Sequence, residues 1–167
     1  ARRQRQMCIR DSINAFGYDV LSHKNFLGLE DNFISSKKDF FQKVDIIFSV
    51  VRDINQTKEL CEGKNGLFQL NSPKTLIICS TLSPAFMSDF FKNAPENITM
   101  IEAPMSGAPM KAKDATLTFM VGAKKNQYQN ILPILNILGD KIHHIGQFGS
   151  GMSVKVLNNF VASCSVC

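Results

Sequence analysis

No apolar run in these 167 residues approaches the roughly 20 needed to cross a bilayer, and the N-terminal stretch carries no apolar core of a secretory signal. The expectation is a soluble intracellular protein, cytoplasmic or mitochondrial, with no membrane partner. Acidic surplus is also lacking, since 19 Lys and Arg stand against 14 Asp and Glu for a formal net charge of +5. Arg2, Arg3 and Arg5 supply much of that excess, while Lys37-Lys38 and Lys124-Lys125 are isolated pairs. No phosphate-tracking stripe results, and no nucleic-acid partner is expected. The cysteines (Cys8, Cys61, Cys79, Cys164, Cys167) lack metal-ligand spacing, and the terminal C-x-x-C has no histidine nearby. They read as reduced thiols without a metal. Internal repeats and low-complexity segments are absent as well.

What is present is a globular composition, 44% hydrophobic and 20% charged, in a chain long enough for one full core. Ser12 to Phe16 before Gly17 reads as the last turn of a helix, followed by a strand from Tyr18 to His23. A short helix is expected near Ser36 to Lys43, with Ser35 or Ser36 as its cap. Asp45 to Val51 is a continuous apolar run of strand length, the pattern of a strand buried on both faces of a parallel sheet. Asp53 should cap a helix from Asn55 to Glu62. Thr75 to Cys79 is a second such strand, and Ser83-Pro84 opens a helix to about Asn93. Ile98 to Ala103, Leu117 to Gly122 and Lys141 to Ile145 complete the strands, with a helix over Asn126 to Leu138. Alternation of strand and helix through the chain predicts an open, doubly wound, mostly parallel α/β sheet.

Ligands of such sheets sit beyond the carboxyl ends of the strands. That rule draws attention to His23-Lys24-Asn25, Val51-Arg52, Ser80-Thr81 and Pro104 to Ala108. His143 and His144 fall within a strand and read as structural. Near the C-terminus, Gly149-Ser150-Gly151 precedes apolar residues at helical spacing, so a helix should begin near position 151, with Ser150 or Ser153 able to cap it. Lys155 then lies in the second turn, with Asn159 one turn further along the same face. A cation beside a neutral amide suits an anionic substrate whose hydroxyl proton must move.

Three of these stretches carry a resemblance. Ile101-Glu102-Ala103-Pro104-Met105-Ser106-Gly107-Ala108 is similar to a D-A-P-V-S-G-G substrate loop. Ala115 to Gly122 is similar to G-x-L-T-x-M-V-G-G. Gly149-Ser150-Gly151 through Lys155 to Asn159 is similar to a catalytic G-x-G-x-x-x-K-x-x-x-N. Together, in this order, they resemble the β-hydroxyacid dehydrogenase family over about residues 12 to 166. The resemblance implies a Rossmann-like fold and hydride transfer between NADP or NAD and a small hydroxy acid, with Lys155 as general acid/base. It implies substrate binding at Ser106, Gly107, Ala108 and Asn159, and cofactor contacts at Asn25, Val51, Arg52, Gln56 and Thr81. It also implies a homo-oligomeric parent enzyme.

Departures from the pattern sharpen the expectations. Ala108 replaces a glycine of the loop, and Arg52 stands where the family commonly has proline. His23-Lys24-Asn25 offers a cation and an amide where an acidic residue would bind an NAD ribose, which favours NADP mildly. The family opens with a strand and G-x-G-x-x-G, yet residues 1 to 8 contain no glycine. The expected division is therefore a non-family leader over 1–8, a Rossmann-like domain lacking its first strand over 9–147, and the start of an interdomain helix over 148–167. A non-catalytic dehydrogenase-like module is the alternative; such relatives lack the lysine, as do imine reductases, so Lys155 argues for the dehydrogenase.

Overall fold

The computed structural model describes residues 14–20, 30–107 and 109–165. Helix α1 (Lys37–Lys43) is capped by Ser36, whose hydroxyl accepts from the Asp39 amide, and leads into strand β1 (Ile46–Ser49). Helix α2 (Ile54–Cys61) is capped by Asp53, which accepts from the Gln56 amide at 2.9 Å. Strand β2 (Lys74–Ile78) precedes α3 (Pro84–Lys92), where Ser83 caps and Pro84 fills the first turn without a missing donor. Strand β3 (Ile98–Glu102) is followed at once by β4 (Met105–Ser106) and the short α4 (Pro109–Lys113). Strand β5 (Leu117–Gly122), α5 (Lys125–Leu138), β6 (Gly139–Gly146) and α6 (Ser150–Cys164) complete the order.

The six strands form one sheet in which β1, β2 and β3 run parallel. After Pro104 the chain returns antiparallel: Glu102 faces Gly122, and Met105 and Ser106 face Phe119 and Thr118 of β5. Strand β6 lies parallel to β5 on its other side. The period of two along each strand divides the core. Leu76 and Ile78 of β2 pack with Phe41, Met87, Phe90 and Met152 on one face, while Ile77 packs with Ile101, Phe119, Val121, Ile131 and Leu135 on the other. Helices thus cover both faces, as a doubly wound α/β fold requires. Among the described residues no helix is long and apolar enough to cross a membrane.

Four local expectations need correction. Residues 14–16 are not helical, 12 and 13 lying outside the described residues, and Gly17 forms an isolated parallel bridge with Phe33, exchanging backbone hydrogen bonds with Asn32 and Ile34, instead of closing a helix. Residues 18–20 are not strand, and the remainder of the expected strand, 21–23, lies outside the described residues. Strand β1 is not buried on both faces: Ile46 is 37% exposed, because among the described residues β1 has a neighbour on one side only. Finally, Pro104 to Ala108 is not simply a loop, since Met105 and Ser106 are paired to β5.

Candidate active site

The carboxyl ends of β1 and β2 open onto a shallow cleft of about 310 Å³, lined by Arg52, Asp53, Ile54, Asn55, Thr81, Leu82 and Ser83. Two capped helix N-termini, those of α2 and α3, border it, and the Ser80 hydroxyl donates to the Val51 carbonyl to tie the two strand ends together. The Arg52 amide is satisfied by the Gln56 side chain at 3.0 Å, and the Arg52 side chain has no ion pair among the described residues. Of the expected cofactor residues, the structure brings Arg52 and Thr81 into one cleft and places Val51 and Gln56 at its β1 side. Asn25 lies outside the described residues. An exposed cation, hydroxyls and two helix N-termini fit an anionic cofactor at this edge.

The second group of residues hangs on β5. Ser106 is held beside Thr118, and Gly107 follows with φ of 143°, a conformation that disfavours other residues. A Cβ at Gly107 would meet Lys111 Cβ and Leu117 Cδ2, each at 3.0 Å, so the turn is closed over by α4 and β5. Ala108 lies outside the described residues.

Helix α6 begins at Ser150 after Gly149, which adopts the left-handed conformation at φ of 100°. Neither expected serine caps it. Ser150 donates to the Gln147 carbonyl at 2.6 Å, and Ser153 donates to the Gly149 carbonyl at 2.7 Å. Capping comes from a distance instead: Glu102, fully buried at the end of β3, accepts from the Gly149 amide at 2.8 Å and the Met152 amide at 3.4 Å. Sequence reasoning missed this residue as part of the site because capping was sought locally. An acidic side chain at the end of an apolar strand was the available signal.

Lys155 is 92% covered, and that burial lowers the basicity of its amine below the ordinary lysine value. It makes no ion pair among the described residues. Asn159, expected beside it, is exposed. Burial therefore falls on the face at Gly151, Met152 and Lys155 and not one turn further on. Met152 joins this helix to the cleft beyond β1 and β2, its sulfur accepting from the Leu82 amide at 3.2 Å. Of the two strand histidines, His144 stacks on Tyr128 with centroids 4.5 Å apart and its Nε2 lies 2.8 Å from the Ala123 carbonyl, while His143 is exposed.

Comparison with known proteins matches residues 11–146 to the NAD binding domain of 6-phosphogluconate dehydrogenase. The chain is 33% identical over 124 residues to the 2-(hydroxymethyl)glutarate dehydrogenase of Eubacterium barkeri, covering 73% of this chain and 41% of that one. It is 29% identical over 153 residues to the mitochondrial 3-hydroxyisobutyrate dehydrogenase of Rattus norvegicus, covering 89% and 46%. In each case it spans less than half the relative's length. Among solved structures, Mycobacterium tuberculosis 3-hydroxyisobutyrate dehydrogenase with L-serine superposes at a TM-score of 0.82 and 21% identity, over 96% of this chain and 56% of that one. An imine reductase variant from Myxococcus stipitatus with NAD+ superposes at 0.87 and 16% identity, over 99% and 59%. These two likenesses concern the fold.

Proposed function

From the premise that the chain belongs to the β-hydroxyacid dehydrogenase family, through the NAD binding domain of 6-phosphogluconate dehydrogenase, we propose that its parent protein oxidises a small β-hydroxy acid with Lys155 as general acid/base. The single observation that carries this reading is the burial of Lys155 on the inner face of α6, where desolvation lowers its basicity. A neutral amine then becomes accessible as an acceptor for the substrate hydroxyl proton, and its protonated form returns that proton in the reverse direction. Bound nicotinamide supplies the hydride chemistry. Ser106, Gly107 and Ala108 hold the substrate carboxylate, with backbone amides of a glycine turn as donors, and Asn159 contacts the substrate from the next turn of α6. Val51, Arg52, Gln56, Thr81 and Asn25 hold the cofactor, and the cation and amide of His23-Lys24-Asn25 mildly favour NADP over NAD.

The division of the chain follows the same reading. Residues 9–147 form the cofactor domain behind a leader at 1–8. Residues 148–167 begin an interdomain helix of a homo-oligomeric enzyme, consistent with the exposure of Leu157, Phe160 and Val161 on α6. Two of the relatives above are named for 2-(hydroxymethyl)glutarate and for 3-hydroxyisobutyrate, so the substrate is sought in that range. The decisive experiment measures absorbance of reduced nicotinamide with the full-length protein, NADP or NAD, and a panel containing 3-hydroxyisobutyrate, 2-(hydroxymethyl)glutarate and L-serine. Turnover with one of them is expected; cofactor binding without turnover on any would favour the non-catalytic module.

A further inference from the structure

The base of α6 is held by a group that neither the cofactor nor the substrate reading employs. Glu102 is completely buried at the end of β3, on the face it shares with Met100 and with Met152 of α6. Its Oε2 accepts from Gly149 and Met152, while its Oε1 has no hydrogen-bond partner among the described residues. Burial pushes the carboxyl above its ordinary range, opposed by the amides at the start of α6. Filling the core alone would be better served by an apolar residue of the same volume. The acid has a use only if its acceptor oxygen does.

That use follows from the arrangement around it. Gly149, the residue preceding the helix, has no side chain to cap with, and the hydroxyls of Ser150 and Ser153 are directed to carbonyls. The first-turn amides would otherwise be orphaned in a buried place. Gly122 leaves the space through which the carboxylate reaches them, since a Cβ there would stand 2.5 Å from Glu102 Oε2. Gly151 lies flat on β5, and Met152 is tethered to Leu82. Lys155 stands three residues beyond Met152 and four beyond Gly151, on the same face of the helix. Any lift or rotation of the helix base carries the amine with it.

We propose that Glu102 is a positioning residue for Lys155: by accepting the first-turn amides of α6 it pins the helix base to the sheet and sets the depth at which the amine is buried. The route is mechanical, because Lys155 has no carboxylate within ion-pair distance among the described residues and burial is the one cause that lowers its basicity. The functional meaning of the inference rests on Lys155 being the acid/base, but its test does not.

The test compares Glu102→Met, which keeps volume and removes the acceptor, with Glu102→Gln, which keeps one acceptor oxygen. In the full-length protein, competitive acylation by acetic anhydride across pH is read by peptide mass spectrometry, with exposed Lys141 as internal reference. The native protein should show Lys155 titrating below the ordinary lysine value and, at pH where its amine is neutral, reacting more slowly than exposed Lys141 because it is covered. Glu102→Met should bring Lys155 towards the Lys141 rate and ordinary titration, and lower kcat about tenfold or more with cofactor Kd nearly unchanged. Glu102→Gln should keep Lys155 protected. Unchanged Lys155 reactivity in folded Glu102→Met overturns the proposal, and so does Glu102→Gln exposing Lys155. Should Glu102→Met fail to fold, the Gln variant alone decides by the same criterion. Altered reactivity with unaltered kcat upholds the positioning role and removes Lys155 as the acid/base.

Discussion

Gly151 of α6 rests directly on the backbone of β5, so that a Cβ added there would stand 2.5 Å from the Met120 carbonyl oxygen and 2.9 Å from the Gly122 nitrogen. Backbone atoms cannot yield as a flexible side chain can. Gly151→Ala should therefore displace the helix base and cost about 1–3 kcal/mol, the usual range for overpacking. Urea denaturation checks this, and a midpoint equal to that of the native protein would show that α6 is not seated on β5.

Replacement of Lys155 by Met should reduce kcat by about 10² to 10⁴ in the full-length protein while leaving the cofactor Kd nearly unchanged, because the amine moves a proton and does not hold the dinucleotide. More than about a tenth of kcat remaining would remove it from the chemistry.

The same lysine makes a prediction about stability. Its amine titrates lower in the folded state than the ordinary value of 10.5. Between the two values the unfolded chain binds the extra proton, so stability should rise with pH through that window and level off above 10.5. Lys155→Met should flatten the rise. Denaturant midpoints from neutral pH to about 10.5 test the sign, and equal slopes in both proteins would mean that the buried amine is not perturbed.

In the turn proposed to hold the substrate carboxylate, Gly107 holds a positive φ and faces Lys111 and Leu117 closely. Gly107→Val should raise KM for the hydroxy acid, since backbone strain and crowding of about 1–3 kcal/mol fall on the carboxylate donors. Cofactor Kd should hold. Loss of cofactor binding at constant KM would transfer this turn to the cofactor site.

Burial pushes the thiols of Cys61 and Cys79 up to about 12, whereas Cys164 is exposed. Brief alkylation of the native protein near pH 8, read by peptide mapping, should label Cys164 and spare the other two, because the thiolate is the nucleophile. Rapid labelling of Cys79 would show that the end of β2 is open to solvent.

Local chemistry accounts for what could be read without coordinates. Asp53, Ser36 and Ser83 each precede a helix and cap it through bonds spanning three residues, so composition and spacing suffice to find them. The apolar runs at β2, β3 and β5 announce strands for the same reason, and Gly149 to Asn159 announces the helix of Lys155. Long-range pairing decided the rest. The reversal of direction after Pro104 depends on which edge β5 joins, and period-two patterning is the same for parallel and antiparallel neighbours. Asn159 is exposed while Lys155 is buried, a difference of packing that helical spacing does not reveal. The cap on α6 belongs to the same class: its donors and acceptor are 47 and 50 residues apart. The sequence by itself determined most of the elements from β1 onward and the family of this protein; the depth of Lys155 and the Glu102 carboxylate at the start of its helix arise only when β3, β5 and α6 meet.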